Sequence, residues 1–242
     1  MTTLTPDPAL ADKLVFANRI LYSQGIVDGL GHVSVRHPGA DNVFLLSCNR
    51  APALVTAPDI VCYDLEGEAV SAGAERPYLE RFIHSEIYRA RPDVIAVVHS
   101  HSPSVIPFGV TGNRLRPIYH MAGFLGSGST HFEIRELAGN TDMLIRNREL
   151  GQALARSLGA STCVLMRGHG STVVGGSVEQ VVYRAIYAEI NARLQAQSLA
   201  MGDVDYLTPE EAQMAAAAND TQIGRSWDLW CRRVGPLDNQ PG

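Results

Sequence analysis

The chain has 242 residues, of which 45% are hydrophobic, and its formal net charge is −5. This length and hydrophobic fraction suffice for one domain with a substantial core, and no linker divides residues 1–242. The acidic balance, without a Lys/Arg-rich face, argues against a nucleic-acid partner. No apolar run is long enough for a membrane span, and the first twenty residues do not resemble a signal peptide. We therefore expect a cytoplasmic, single-domain protein with no membrane partner.

Helical and β-type segments alternate in the first half of the chain. Apolar residues from Leu10 to Leu21 recur at helical spacing, and glycines follow as stop signals. Short β-type runs at 33–35, 43–46 and 60–64 are separated by turn residues, which indicates antiparallel pairing. Pro77 opens a second predicted helix over 78–89. The apolar run 94–98 then predicts a buried strand that leads directly into a His-Ser-His motif.

The second half of the chain continues this alternation. The segment 123–139 is rich in Gly, Ser and Thr and is predicted to be a loop. A helix over 148–158 and strands over 161–166 and 171–174 follow. Ser177 caps a long helix that ends at Met201. Thr208-Pro209-Glu210-Glu211 is typical of a helix start and predicts a helical C-terminal tail over 203–242. The whole pattern predicts a single layered α/β structure.

Three histidines follow predicted core strands. His99 and His101 are two residues apart, so on a strand their imidazoles lie on the same face. This pair alone is equally typical of two hydrogen-bonded histidines at a strand end. His169, in a Gly-His-Gly turn between two strands, adds the third ligand that a facial three-histidine site needs. Such a site leaves open coordination positions, which is typical of a catalytic metal ion.

Glu80 is the acidic candidate for the same site. It is predicted in the first turn of the second helix, where an acidic side chain is also favoured by the helix dipole alone. Its functional alternatives are a fourth metal ligand or a proton carrier. His84 lies one turn later, which makes Glu80 and His84 a rival metal pair. The apolar neighbours Ile83 and Ile87 instead favour a packed or hydrogen-bonded His84.

Four segments resemble the class II aldolase/adducin family in order and spacing. They are Glu80, His99-Ser100-His101, Gly168-His169-Gly170 and Gly31-His32-Val33-Ser34-Val35-Arg36, within a similarity that runs from about Leu10 to Leu199. The resemblance implies a single-domain α/β fold with a central, mainly antiparallel sheet flanked by helices. It implies one divalent ion per subunit, held by the three histidines and Glu80, with Mn2+ preferred over Fe2+, Co2+ or Zn2+. It also implies a homotetramer with active sites at subunit interfaces.

The residues around this site differ from those of the family's sugar-phosphate aldolases. His32 replaces an asparagine, and Tyr78-Leu79 replaces a serine pair that holds phosphate in those enzymes. Such bulky side chains do not form a phosphate cradle. Arg50 and Arg36 are candidate forks for a carboxylate, although Arg50 is equally typical of a solvated loop arginine. His120 takes the place of the aldolases' proton-donating tyrosine, which predicts altered acid/base chemistry because imidazole titrates near neutrality.

These departures are similar to the family's aromatic-acid decarboxylases. That resemblance implies a metal-dependent carbon–carbon lyase of aromatic compound catabolism. Its substrate would be an ortho-hydroxylated aromatic carboxylate or dicarboxylate, such as 3,4-dihydroxyphthalate or a hydroxypyridine dicarboxylate. Glu80 or His120 would protonate the carbon that loses CO2, and Arg50, His32, Arg36 and Tyr78 would bind the substrate. The alternatives are an aldolase or epimerase for a small hydroxy acid or sugar phosphate, an Fe(II) oxygenase, and a non-catalytic adducin-like module.

Overall fold

The computed structural model describes residues 4–71 and 77–237. Within these ranges its elements follow the alternation expected from the sequence, with three short 3-10 turns at Pro52–Leu54, Ala57–Asp59 and His120–Leu125. The helices are α1 (Pro8–Ser23), α2 (Arg81–Ala90), α3 (Ile106–Val110), α4 (Arg135–Ala138), α5 (Arg148–Leu158), α6 (Val178–Met201), α7 (Pro209–Asp220) and α8 (Ile223–Val234). The strands are β1 (His32–Arg36), β2 (Val43–Ser47), β3 (Ile60–Asp64), β4 (Ala96–Ser100), β5 (Thr130–Phe132), β6 (Cys163–Met166) and β7 (Gly170–Gly175).

The observed N-termini of the helices show where local capping signals predicted the helix start correctly. Ser177 caps α6 by accepting a hydrogen bond from the Gln180 amide, and Thr208 forms a reciprocal capping box at the start of α7. The start predicted for α2 is wrong by three residues, because α2 begins at Arg81 and Glu80 only precedes it. The Glu80 side chain does not cap this helix; it accepts a hydrogen bond from a distant loop amide instead.

The strands form one sheet in the order β3-β2-β1-β4-β7-β6-β5 over the described ranges. All neighbours pair antiparallel except β5 and β6, which are parallel. The prediction of a continuous loop over 123–139 is wrong, because this segment contains β5 and α4. Strand β5 has only three residues and only Phe132 is buried, so its pairing with β6 is a long-range effect that local sequence does not encode.

Helices cover both faces of the sheet and define two apolar cores. Residues of α1 and α6 pack on one face, and residues of α2 and α5 pack on the other. Alternation along β4 places Val98 in the first core and Val97 in the second, so His99 belongs on the α2/α5 face. The tail helices pack against the body, since α7 contacts the turn His120–Leu125 and α8 contacts α1 and α6. Among the described helices, none is long and apolar enough to cross a membrane.

Candidate metal centre

Glu80, His99, His101 and His169 converge at one end of the sheet, and we call these four residues the metal centre candidate. Strand β4 carries His99 next to its end, and His101 follows just beyond the strand. His169 lies in the turn between β6 and β7, where Gly168 adopts a positive φ of 65° that favours glycine. Glu80 comes from the turn before α2. One ligand atom from each of the four residues lies within 4.8 Å of the others.

The spacing of these atoms suits a single ion. The Nε2 atom of His101 is 3.3 Å from that of His99 and 3.1 Å from that of His169. Two nitrogens bound to one ion at about 2.1 Å lie about 3.0–3.4 Å apart for ligand angles between octahedral and tetrahedral values. Glu80 Oε2 lies slightly farther out, 3.9 Å from His99 Nε2 and 3.5 Å from His169 Nε2. The three imidazoles therefore have the separation of one coordination face, with the carboxylate beside it.

Hydrogen bonds on the far side of two rings direct their lone pairs into the centre. His169 Nδ1 donates to the Met143 carbonyl at 3.0 Å, so neutral His169 has no proton on Nε2. The Thr172 hydroxyl donates to Met166 Sδ at 3.6 Å, and its oxygen lies 3.4 Å from His99 Nδ1. His99 therefore donates from Nδ1 and also leaves Nε2 unprotonated. The unprotonated Nε2 atoms of His99 and His169 both face His101 Nε2, so the three ring nitrogens fit the ligand set of one metal ion.

The protonation states agree with this interpretation. Complete burial lowers the pKa of His99 well below its ordinary value, and partial burial together with His169 lowers the pKa of His101. Burial alone would raise the pKa of Glu80, but its contacts with His169 and His99 and with the Ile145 amide lower that pKa to about 2. The lowered pKa values of His99 and His101 favour their neutral rings, and Glu80 is a carboxylate near neutral pH. That donor set suits a borderline divalent ion.

A loop that sequence reasoning missed holds two of the four side chains. The Met143 carbonyl fixes His169, and the Ile145 amide donates to Glu80 Oε1 at 2.9 Å. Met143 has a positive φ of 72°, a conformation that is costly for a residue with a side chain and is concentrated at functional sites. Both contacts use backbone atoms, so the residue types at 143 and 145 gave no signal.

Two of the predicted substrate-binding residues form a ring wall beside the centre. The His32 ring lies 5.1 Å from the His99 ring and 4.7 Å from the Tyr78 ring, between centroids. The Tyr78 hydroxyl donates to the Arg50 carbonyl at 2.5 Å, so the phenol is committed to the protein and only the ring is available as a wall. The Arg50 guanidinium is 40% exposed and pairs with Asp59 at 3.2 Å. Arg50 thus lies behind Tyr78 with part of its fork open to solvent.

The prediction of Arg36 as a substrate ligand is wrong. Its guanidinium donates to four backbone carbonyls, those of Asp41, Tyr88, Arg91 and Val94, and lies 4.8 Å from the centroid of the Tyr88 ring. Arg36 is also at the opposite end of β1 from His32. It therefore fastens α2 and the start of β4 to the sheet, with four of its five N–H groups donating to backbone carbonyls.

Neither His84 nor His120 lies where a role at the metal centre candidate would require it. The rival pair of Glu80 and His84 is contradicted, because both His84 ring nitrogens are hydrogen-bonded at 2.6 Å, to His32 and to Ser34. His120 is exposed on a turn that packs against α6 and α7, and its neighbours Tyr119 and Met121 join the core on the α1/α6 face. A single chain therefore does not bring His120 to the metal centre candidate.

Comparisons with known proteins agree with the fold. The family model "Class II Aldolase and Adducin N-terminal domain" matches residues 12–196. The chain is 39% identical to Decarboxylase tropJ of Talaromyces stipitatus, over 89% of this chain and 90% of that protein. It is 35% identical to the 3,4-dihydroxyphthalate decarboxylase of Arthrobacter keyseri, over 79% of each. An L-fuculose 1-phosphate aldolase structure from Glaciozyma antarctica superposes with a TM-score of 0.77 at 22% identity, over 96% of this chain and 94% of that one. This similarity confirms the predicted fold.

Proposed function

This chain belongs to the class II aldolase and adducin family, and we propose that it is a divalent-metal-dependent decarboxylase of an ortho-hydroxylated aromatic carboxylate or dicarboxylate. The class of substrate is exemplified by 3,4-dihydroxyphthalate and by hydroxypyridine dicarboxylates. The observation that carries the proposal is the joint presence of the metal centre candidate and of decarboxylase relatives that match most of this chain. A carbon–carbon lyase is the coarser statement that these relatives support directly.

In the proposed enzyme His99, His101 and His169 hold one divalent ion per subunit, with Mn2+ preferred over Fe2+, Co2+ or Zn2+. Such an ion, when bound, would lower the pKa of a phenol group that chelates it and would orient the ring. The tautomers of His99 and His169, fixed by Thr172 and by the Met143 carbonyl, support this ligand assignment. The ring wall of His32 and Tyr78 supports a flat substrate, because it occupies the place where a phosphate cradle would need small polar residues.

Glu80 is the proposed proton carrier. Its Oε1 atom is tied to the Ile145 amide, whereas Oε2 faces the histidines. Its low pKa makes it a carboxylate at neutral pH, so it first accepts the proton of the ortho hydroxyl group. It then gives this proton to the ring carbon that bears the carboxylate. The bond to the carboxylate breaks, its electron pair returns to the ring, and CO2 leaves with a phenolate as the second product.

We also propose that a homotetramer forms with its active sites between subunits. Leu30 and Leu79 are 62% and 42% exposed, although in the chain Leu30 lies two residues before His32 and Leu79 directly precedes Glu80. Large exposed apolar side chains beside a polar site favour coverage by another chain. In that assembly a second subunit could supply His120, which one chain holds on the other face of the sheet. Light scattering on the purified protein measures the number of subunits, and cell fractionation tests the proposed cytoplasmic location.

The decisive test of the function is CO2 release from a panel of ortho-hydroxylated aromatic mono- and dicarboxylates with each of the four metal ions. We expect release from at least one substrate. Glu80→Gln should lower the rate at least about 100-fold while the ion stays bound. Glu179→Gln is the matched control, because this carboxylate pairs with Lys13 between α6 and α1, and should leave the rate unchanged. No CO2 from any substrate would overturn the proposal, and competitive inhibition by phosphoglycolohydroxamate would favour the aldolase alternative.

A further inference from the structure

Four buried polar side chains lead from the interior to the metal centre candidate, and we call them the buried network. His32 and Ser34 are two apart on β1, and His84 and Tyr88 are four apart on α2, so each pair shares a face. The His84 ring lies between the two residues of the strand. Its Nε2 is 2.6 Å from His32 Nδ1, its Nδ1 is 2.6 Å from Ser34 Oγ, and Ser34 Oγ is 2.7 Å from the Tyr88 hydroxyl.

Each link of the buried network must be made by one proton. All four side chains are at most 4% exposed, so water does not substitute for a missing donor. Burial lowers the pKa of His84 to about 3, which leaves a neutral ring with one N–H and one lone pair. His84 therefore donates in one of its two hydrogen bonds and accepts in the other. Once the donor is known in the hydrogen bond at one end of the network, the donor in each of the other hydrogen bonds is fixed as well.

Tyr88 sets that direction. Its hydroxyl is 3.4 Å from the Ile95 carbonyl, which already accepts the Arg36 amide at 2.8 Å. A hydroxyl bond is normally about 2.7–2.8 Å long, so the better acceptor for the Tyr88 proton is Ser34 Oγ. Ser34 then donates to His84 Nδ1, and His84 donates from Nε2 to His32 Nδ1. This leaves the one ring proton of neutral His32 on its Nε2 atom.

We propose that Tyr88, Ser34 and His84 are positioning residues that fix His32 as an Nε2–H donor to an oxygen of the substrate. The substrate part of this inference rests on the proposed function, whereas the tautomer does not. The same arrangement keeps His32 out of the metal site. Its ring is as close to His99 as the ring of His101 is, both at 5.1 Å between centroids, yet a protonated Nε2 offers no lone pair to an ion.

The tautomer is read directly by nitrogen NMR of protein labelled with 15N-histidine and loaded with diamagnetic Zn2+. The imidazole shifts separate a protonated from an unprotonated ring nitrogen, and a His32→Asn sample assigns the signal. We expect His32 and His84 to be protonated at Nε2 in the wild type. Tyr88→Phe and Ser34→Ala each remove a hydroxyl group that sets which nitrogen of His84 donates. The His32 signal should therefore move towards a mixture of both tautomers.

Tyr63→Phe is the matched control for these variants. Tyr63 belongs to the same apolar core, and its buried hydroxyl has no hydrogen-bond partner within the described part of the chain. This variant should leave the His32 signal unchanged. An unprotonated Nε2 on wild-type His32, or a His32 signal that does not respond to Tyr88→Phe and Ser34→Ala in folded protein, would overturn the proposal.

A binding measurement links the tautomer to the substrate. Salicylate carries an ortho-hydroxylated carboxylate, and we expect its dissociation constant for the Zn2+ protein to rise about twofold or more in Tyr88→Phe, in proportion to the Nε2–H tautomer lost, but not in Tyr63→Phe. Equal affinity in Tyr88→Phe and wild type would overturn the donor role of His32. If the wild type binds no salicylate, the donor role of His32 towards this substrate class is overturned, whereas the proposed function is decided separately by CO2 release and the tautomer by the NMR comparison.

Discussion

Gly170 is the position at which a single methyl group should disrupt the metal centre candidate. It is the first residue of β7 and follows His169 directly. A Cβ atom added there would lie 2.2 Å from the Ser100 carbonyl oxygen, whereas real Cβ atoms essentially never come within 3.0 Å of such an atom. The Ser100 carbonyl is backbone and cannot rotate away. In Gly170→Ala the strands β4 and β7 must therefore move apart by at least 0.8 Å at this point.

This displacement is large compared with the tolerance of a metal site. Metal–ligand distances are held within about 0.2 Å, and Ser100 lies between His99 and His101 while Gly170 adjoins His169. The same added Cβ would lie 3.2 Å from the His101 ring. We therefore expect the affinity for Mn2+ to fall at least about tenfold to 100-fold. Overpacking should also lower the free energy of unfolding by about 1–3 kcal/mol.

Calorimetric titration with Mn2+ measures the first effect, and urea unfolding in EDTA measures the second without the ion. Gly109→Ala is the control, since its added Cβ would meet nothing closer than the Met166 carbonyl oxygen at 3.5 Å, an ordinary contact. If Gly170→Ala bound Mn2+ as tightly as the wild type, the distances between the three histidines would not govern the ion, and the reasoning would be refuted.

Three further predictions concern stability and specificity. The metal-free protein should lose about 1–2 kcal/mol of unfolding free energy between pH 6.5 and 5 through His84 alone, because its pKa of about 3 lies below that of the unfolded chain and only the unfolded chain binds this proton over that range. Urea unfolding should show a flatter pH profile in His84→Asn. Arg36→Gln should lower the unfolding free energy by about 2 kcal/mol, since it strands buried carbonyls, and should leave Mn2+ affinity unchanged; loss of Mn2+ binding in folded protein would contradict its assignment as a structural residue. Arg50→Gln should raise the KM of a dicarboxylate about tenfold and leave that of the matching monocarboxylate unchanged; equal changes for both would exclude Arg50 as the fork for a second carboxylate.

The metal centre candidate was predictable because its signals are local. Alternation along a strand places His99 and His101 together, and a glycine turn between two apolar strands presents His169. Glu80 is different, because a helix start explains an acidic residue equally well. Only the resemblance to a family with an acidic residue at this point joined it to the histidines.

The errors arise where residue type does not reveal the environment. Arg36 and Arg50 are both arginines near strand ends. The guanidinium of Arg36 donates to backbone carbonyls, whereas that of Arg50 is 40% exposed. His120 fell on the opposite face because its turn packs against α7, a contact between segments that are far apart in the chain. The supporting carbonyl of Met143 and the amide of Ile145 belong to backbone that every residue has.

Under the proposed function, the fold explains how one centre could serve both aldol cleavage and decarboxylation, with the residues beside the ion deciding between them. The ligand atoms sit on β4, on the β6–β7 turn and before α2, and backbone groups of one loop fix both His169 and Glu80. These parts bring three imidazoles and a carboxylate together, and a divalent ion held there would be useful wherever negative charge develops on an oxygen next to a breaking carbon–carbon bond. His32 and Tyr78 belong to β1 and to the turn before α2, and changes there alter the shape beside the ion without altering its ligands. Substrate choice can therefore diverge at the ring wall while the ion site stays constant, which is the reason a phosphate-binding relative and this chain share a fold but need not share a substrate.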